Sequence, residues 1–208
     1  MPLIPSQMGW GPKNLYLKIF ITALVICFWA TRISASSGPL ETVKTGTEKV
    51  LHILKMEVGN TEKRRAEIRK VVDEYFDFDE MAKRALGPSW KEQPPVKQQE
   101  YVGAFSQFLF NVYIDKIEKY TDEEITYETK GEKGGRATVD AIIAGSRTEK
   151  IAIEYRIHLR DGKWRVYDVV IEGVGLVNNY RSQFSSILTR SSFDDLLKQL
   201  KEKNLQNK

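Results

Sequence analysis

Residues 150–171 read KIAIEYRIHLRDGKWRVYDVVI and predict a β-hairpin. Apolar and polar side chains alternate on both sides of Asp161-Gly162, a dipeptide that favours two-residue hairpin turns. If Arg160 lies opposite Lys163, one face of the hairpin carries Ile151, Ile153, Tyr155, Ile157 and Leu159 beside Trp164, Val166, Asp168 and Val170. This face is apolar except for Asp168, which indicates an antiparallel sheet that is covered on one side.

The segments around the hairpin predict an α+β fold. The same alternation over residues 124–130 and 136–144 adds two strands, so we expect a curved antiparallel sheet of four strands. Helical spacing of apolar residues precedes the sheet and returns after it. The expected organisation is one domain over residues 36–208, with helices in 39–120, the sheet in 124–171 and further helices in 176–205. In this arrangement a helical layer packs against the sheet.

Residues 1–35 have the pattern of a signal peptide. Lys13 and Lys18 precede the apolar run 19–30, which is too short to span a bilayer comfortably, and small residues follow at 34–37. We expect cleavage after Ala35 and export of residues 36–208. An uncleaved N-terminal anchor is the alternative.

Composition excludes several classes of protein. The 208-residue chain is 41% hydrophobic and 29% charged, as ordinary globular proteins are. Its net charge of +4 comes mainly from residues 1–35, which hold three basic residues and no acidic one; this leaves 29 basic against 28 acidic residues beyond them. No charge argument for nucleic-acid binding remains. The single cysteine, Cys27, and two histidines, His52 and His158, offer little for a metal site or a hydrolytic triad.

Two features leave alternatives open. The predicted helix over residues 96–120 carries a wide aromatic stripe that includes Phe105, Phe108 and Tyr113, and this stripe is compatible with a packed core or with a deep apolar cavity beneath the sheet. Asp168 on an apolar face needs polar partners, either Arg181 or backbone N–H groups, or it acts as a general base.

Two separated motifs resemble the MlaC-type, or toluene-tolerance, family. The first is FDFxxMAxxALGxxW over residues 76–90, followed by Pro95, Gln98, Gln99, Phe105, Leu109 and Tyr113. The second is WRVYDV over residues 164–169, with IEGVxLVxNYRxQF over residues 171–184. The similarity runs from about residue 41 to 203. One departure is Gly175, where the family pattern has serine.

The resemblance implies a periplasmic carrier without a cofactor or metal and with a sheet like that of nuclear transport factor 2. Such a carrier moves phospholipid between an outer-membrane lipoprotein complex and an inner-membrane ABC transporter with MCE domains. The acyl tails would lie in an apolar cavity. Arg181 lies in the early turns of the predicted helix after residues 173–175, where it either contacts the lipid headgroup or pairs with Asp168 or Glu172. The expected lipid-binding residues are Phe105, Phe108, Leu109, Val112, Ile153, Tyr155, Ile157, Val166, Val170, Leu176, Tyr180 and Phe184.

Two other classes of protein remain compatible with the residues. A small hydrolase or isomerase could use the same kind of pocket, with Asp168 and Tyr155 inside it. A module that binds no small molecule and only interacts with other proteins is the third possibility.

Overall fold

The computed structural model describes residues 37–57, 59–120, 123–145 and 150–206. The predicted signal peptide lies outside these residues. The described chain confirms the α+β class: helices come first, an antiparallel sheet follows, and two helices close the chain. None of the helices in the described ranges is long and apolar enough to cross a membrane.

Four helices and a short 3-10 turn form the first half. They are α1 (Pro39–Met56), α2 (Thr61–Tyr75), α3 (Phe78–Leu86), the 3-10 turn (Gly87–Glu92) and α4 (Pro95–Ile117). The side chain of Asn60 caps α2 by accepting a hydrogen bond from the Lys63 N–H at 2.9 Å.

The basic residues of α2 join this helix to α4. Arg64 and Arg65 both pair with Glu118, at 2.9 Å and 2.7 Å, and Arg65 also pairs with Asp115. Glu118 is largely buried; burial opposes its ionisation, but the two guanidinium groups outweigh this and hold its pKa below the ordinary value. Arg64 and Arg65 therefore hold α2 against the end of α4.

Five strands form the sheet, one more than the sequence predicted. They are β1 (Glu124–Lys133), β2 (Arg136–Ala144), β3 (Ile151–Arg160), β4 (Lys163–Ile171) and β5 (Val174–Gly175), and they lie in this order with every pair antiparallel. The two-residue β5 was missed because it is too short to show an alternating pattern. Helices α5 (Leu176–Leu188) and α6 (Phe193–Gln206) follow.

A β-bulge changes the predicted register of the hairpin. Arg160 pairs with Lys163 and Ile157 with Val166, as expected, but the next pair is Arg156 with Asp168, which leaves Tyr167 as an extra residue. Beyond the bulge Ile153 pairs with Ile171, and Val170 pairs with Glu154. Without a bulge, Arg160 opposite Lys163 would place Ile153 opposite Val170, and this predicted pairing is wrong. One inserted residue exchanges the faces of all later side chains.

The bulge gives Asp168 a structural role. Its Oδ1 accepts a hydrogen bond from the Val177 N–H at 3.0 Å, in the first turn of α5, and its Oδ2 accepts one from Arg156 Nη1 at 3.1 Å. Gly175 stands at the N-cap of α5 and has no capping side chain. Asp168 therefore supplies from β4 the cap that this glycine cannot supply.

Two hydrophobic cores support the fold. The first lies among α3, α4, α5 and α6 and contains the stacked and edge-on rings of Tyr101, Phe105, Tyr180 and Phe184. The second lies between α1 and the sheet and includes Val43, Val139, Ile157 and Val166. Phe76 and Tyr113 pack against both cores.

Asp77 fastens α3 to the sheet. Its Oδ1 accepts a hydrogen bond from the Glu80 N–H at 3.0 Å and caps the helix, while Arg160 and His158 approach Oδ2 at 2.8 Å and 2.9 Å. Burial opposes ionisation of Asp77, but the hydrogen bonds from Arg160, Glu80 and His158 outweigh it and hold its pKa below the usual value. His158 is thus a partner of this buried carboxylate.

Asp77→Asn should lower the free energy of unfolding at pH 7 by about 2 kcal/mol, because it removes the charge that these donors stabilise. A carboxyl group with a depressed pKa stabilises the fold above its unfolded pKa of about 3.9 and loses this contribution as pH falls through the folded value. The difference between wild type and variant in urea denaturation should therefore begin to shrink near pH 4 and vanish only as pH falls through the lower folded pKa. Asp79→Asn, at an exposed neighbour, is the control. An undiminished difference at low pH would contradict the assignment.

Asp168→Ala should destabilise the protein by about 2 kcal/mol, because the buried Val177 N–H loses its acceptor. Gly175→Ser should restore part of this loss, since a serine can cap α5 itself and its Cβ would meet nothing closer than Asp168 Oδ2 at 3.7 Å. Urea denaturation of both single variants and the double variant measures this. Additive effects in the double variant would show that the two residues do not share the capping role.

Candidate functional site

An apolar chamber of about 320 Å³ lies between the helices and the inner face of the sheet. Its walls come from α1, α2, the last turns of α4, and β1 to β4. The side chains that line it are almost all aliphatic or aromatic; examples are Val50, Leu54, Ile143 and Ile171. A volume of this size is at the lower end of the range found for small-molecule sites.

A second chamber of about 180 Å³ adjoins the first. It extends toward α3, α5 and the middle of α4, and it is equally apolar. The residues that line both chambers are Val72, Phe76, Tyr113, Ile117, Ile153, Tyr155 and Ile171. The two spaces therefore share a wall and lie at the junction of the two hydrophobic cores.

The structure brings only some of the expected lipid-binding residues to these chambers. Those that line a chamber are Leu109, Ile153, Tyr155, Val166 and Leu176. Ile157 is fully buried in the core between α1 and the sheet. Val170 follows the bulge and pairs with Glu154, on the face away from Ile153 and Ile171.

The predicted aromatic residues of α4 and α5 pack against one another instead. Phe108 lies 5.4 Å from Tyr180, and Phe105 lies 5.6 Å from Phe184, between ring centroids and in edge-to-face geometry. Val112 packs at the border of the same core. The N-terminal part of α4 faces other helices, and its C-terminal part faces the sheet. The sequence pattern does not distinguish these two parts of the aromatic stripe.

Helices α1 and α2 provide a wall of the larger chamber that the sequence did not predict. Its members are Val50, Leu51, Leu54, Val71, Val72 and Tyr75. Their helical spacing was visible in the sequence, but spacing identifies a buried face without telling what that face covers. Gly46 lets the Tyr75 ring lie directly on α1, because a Cβ at this position would be 2.9 Å from Tyr75 Cδ1.

A small polar group interrupts the apolar lining. The hydroxyl groups of Tyr155 and Tyr127 on the sheet lie close to that of Thr47 on α1. Burial raises the pKa of Tyr155 to about 12, so the phenol stays protonated at neutral pH. These hydroxyl groups present no ionised group to the chamber.

Lys116 contributes the one charged side chain among the described residues that line the larger chamber. Its ammonium group lies over the ring of Tyr113, 5.2 Å from the centroid. Lys116 and Ile151 are exposed to solvent while they line the chamber, so they mark its opening.

Arg181 and Asp168 lie outside both chambers. Arg181 is exposed and stands beside Gly87, where a Cβ would be 3.2 Å from its Nε. The proposed pairing of Arg181 with Asp168 or Glu172 is replaced by other contacts: Asp168 binds Arg156, and Glu172 accepts a hydrogen bond from the Ala152 N–H. In the described ranges, no cluster of three or more histidine, cysteine, aspartate or glutamate side chains could hold a metal ion.

Comparison with solved structures identifies the same fold in the phospholipid-binding protein from Ralstonia solanacearum, solved in complex with a phospholipid. The TM-score is 0.74 at 24% sequence identity, and the match covers 82% of this chain and 99% of that chain.

Two curated proteins are similar to this chain in sequence. The Toluene tolerance protein ttg2D of Pseudomonas putida is 22% identical over 129 residues, which are 61% of this chain and 60% of that protein, less than two thirds of its length. The Intermembrane phospholipid transport system binding protein MlaC of Haemophilus influenzae is 19% identical over 192 residues, or 88% of this chain and 90% of that protein. The family model described as MlaC protein matches residues 44–202. The resemblance found in the two motifs is thereby confirmed: the chain belongs to the MlaC family.

Proposed function

We propose that this protein is a carrier that binds phospholipid and moves it across an aqueous compartment, with the acyl tails in the two apolar chambers. The observation that carries this proposal is a continuous apolar wall, shared by both chambers, that the protein's own side chains leave unfilled. Protein interiors are ordinarily packed without large voids, so an apolar space of this size fits an apolar ligand. The phospholipid bound to the Ralstonia solanacearum protein, which has this fold, supports the same ligand class.

The energetics of lipid transfer explain why a carrier needs no reactive residue. A tail of about 15 methylene groups costs roughly 12 kcal/mol to expose to water, at about 0.8 kcal/mol per group. Two tails cost on the order of 25 kcal/mol, which prevents free diffusion of the lipid through water. A dry apolar chamber removes this cost, and release requires only an acceptor of comparable quality.

The family relationship also supports a compartment and a set of partners for this carrier. We propose that the carrier works in the periplasm, as residues 36–208 after removal of a signal peptide. It would exchange lipid with an outer-membrane lipoprotein complex and an inner-membrane ABC transporter with MCE domains. The name of the Haemophilus influenzae relative, an intermembrane phospholipid transport system binding protein, supports this route.

The hydrolase or isomerase alternative loses its main residue. Asp168 has two partners, Arg156 and the Val177 N–H, and lies outside both chambers. Tyr155 reaches the chambers, but the carboxylate that was expected to act with it does not. We therefore favour a carrier without catalytic activity.

Organic-solvent extraction of the purified protein tests the carrier function. We expect about one phospholipid for each protein, since a void of this size is unfavourable to leave empty. Ile153→Trp should reduce the lipid recovered, because the indole enters space shared by both chambers. Its free energy of unfolding should change by less than the roughly 1–3 kcal/mol that overpacking a filled core costs.

Ala152→Trp is the matched control. Ala152 is the exposed neighbour on the opposite face of β3, where it pairs with Ile142. This variant should keep its full lipid content. A destabilised Ile153→Trp protein that still carries a full lipid load would contradict the chamber as the lipid site, and turnover of ester substrates by lipid-free protein would favour the enzyme.

The second test concerns export. Expression of the full chain in a bacterium with two membranes should give a periplasmic protein that begins near Ser36, because residues 1–35 have the order of a signal peptide. N-terminal sequencing of the periplasmic fraction measures the start directly. A protein that still begins at Met1 or Met8 would support the uncleaved anchor instead.

A further inference from the structure

Lys116 is a cation at the opening of an otherwise uncharged apolar chamber. It lies in the last turn of α4, it is exposed, and its ammonium group rests over Tyr113, which lines both chambers. A lysine stem of four carbons packs readily along an apolar wall while its charged end stays in water. Lys116 therefore places a positive charge at the opening, where the polar end of a ligand bound in the chamber would reach solvent.

The two acidic residues that flank Lys116 along the chain form ion pairs with arginines of α2. Asp115 in α4 and Glu118 at the C-cap of this helix bind Arg65 at 2.5 Å and 2.7 Å, and Glu118 also binds Arg64. The dipole of α4 places a partial negative charge at its C-terminal end. This partial charge favours a nearby cation but does not neutralise a full positive charge. Within the part of the chain that the structure describes, Lys116 forms no ion pair, since Asp115 and Glu118 bind the arginines of α2.

We propose that Lys116 binds the phosphate of a net-anionic phospholipid and gives the carrier a preference for such lipids. This inference rests on the phospholipid carrier function proposed above. When the tails occupy the chambers, the headgroup lies at the opening beside Lys116. A lipid such as phosphatidylethanolamine brings its own ammonium group, which offsets its phosphate and is repelled by the lysine. Phosphatidylglycerol has no such group, so it gains the full interaction.

Lipid exchange with mixed vesicles tests this preference. Purified protein is incubated with vesicles of equal parts phosphatidylglycerol and phosphatidylethanolamine and re-isolated, and bound lipids are quantified by mass spectrometry. We expect the wild type to enrich phosphatidylglycerol about two- to five-fold, the effect of one exposed ion pair. Lys116→Gln should abolish the enrichment and leave the total lipid per protein unchanged.

Lys119→Gln is the matched control. Lys119 is exposed, lies one turn further along the chain, and does not line either chamber. The Lys119→Gln substitution removes a positive charge from the same end of α4 but not from the chamber opening, so enrichment should persist in this variant.

Enrichment by the wild type should also fall as salt rises from low to about 0.15 M, since the Debye length shrinks to about 8 Å. A purely structural role of Lys116 would not produce this response.

The outcomes separate this inference from the carrier function itself. Equal enrichment in wild type and Lys116→Gln, or a parallel loss of both lipids in the variant, would overturn the role of Lys116 while the carrier function stands. Failure of the wild type to take up either lipid would overturn the carrier function, and the preference with it.

Discussion

The extra residue at Tyr167 determines which side chains of β4 face the helices. Val166 before the bulge and Ile171 after it both line the larger chamber, although an unbroken alternation would put them on opposite faces. The same inserted residue turns Asp168 toward α5, where it caps the helix. One local irregularity thus completes the apolar wall and holds the next helix.

The cavity exists because the two cores do not close upon each other. The aromatic residues of α4, α5 and α6 pack against one another in the first core. Val43 and its neighbours form the second core, between α1 and the sheet. Phe76 and Tyr113 belong to both groups and form part of the shared chamber wall. The parallel bridge between Phe76 and Val166, together with the contacts of Asp77, keeps this wall attached to β4.

The polar residues of the domain divide by what surrounds them. Asp77 and Asp168 are buried and have all their partners within the protein, so they act on stability. Thr47, Tyr127 and Tyr155 form a neutral polar group beside the chamber. Lys116 differs because the acids beside it bind Arg64 and Arg65. A charge without a full counter-charge at the opening of an apolar space is suited to a ligand rather than to folding.

The class of fold, the hairpin at Asp161-Gly162 and the family are predictable from the amino-acid sequence, because periodicity, turn residues and motifs are local properties of the chain. The alternation also predicts that Ile153 and Tyr155 face the helices. That Val170 turns away is visible only in the folded chain, since a bulge depends on pairing between strands. Only packing decided that the Phe105 region fills a core while α1 and α2 line the chambers, because an apolar stripe looks the same whether it meets a side chain or an empty space.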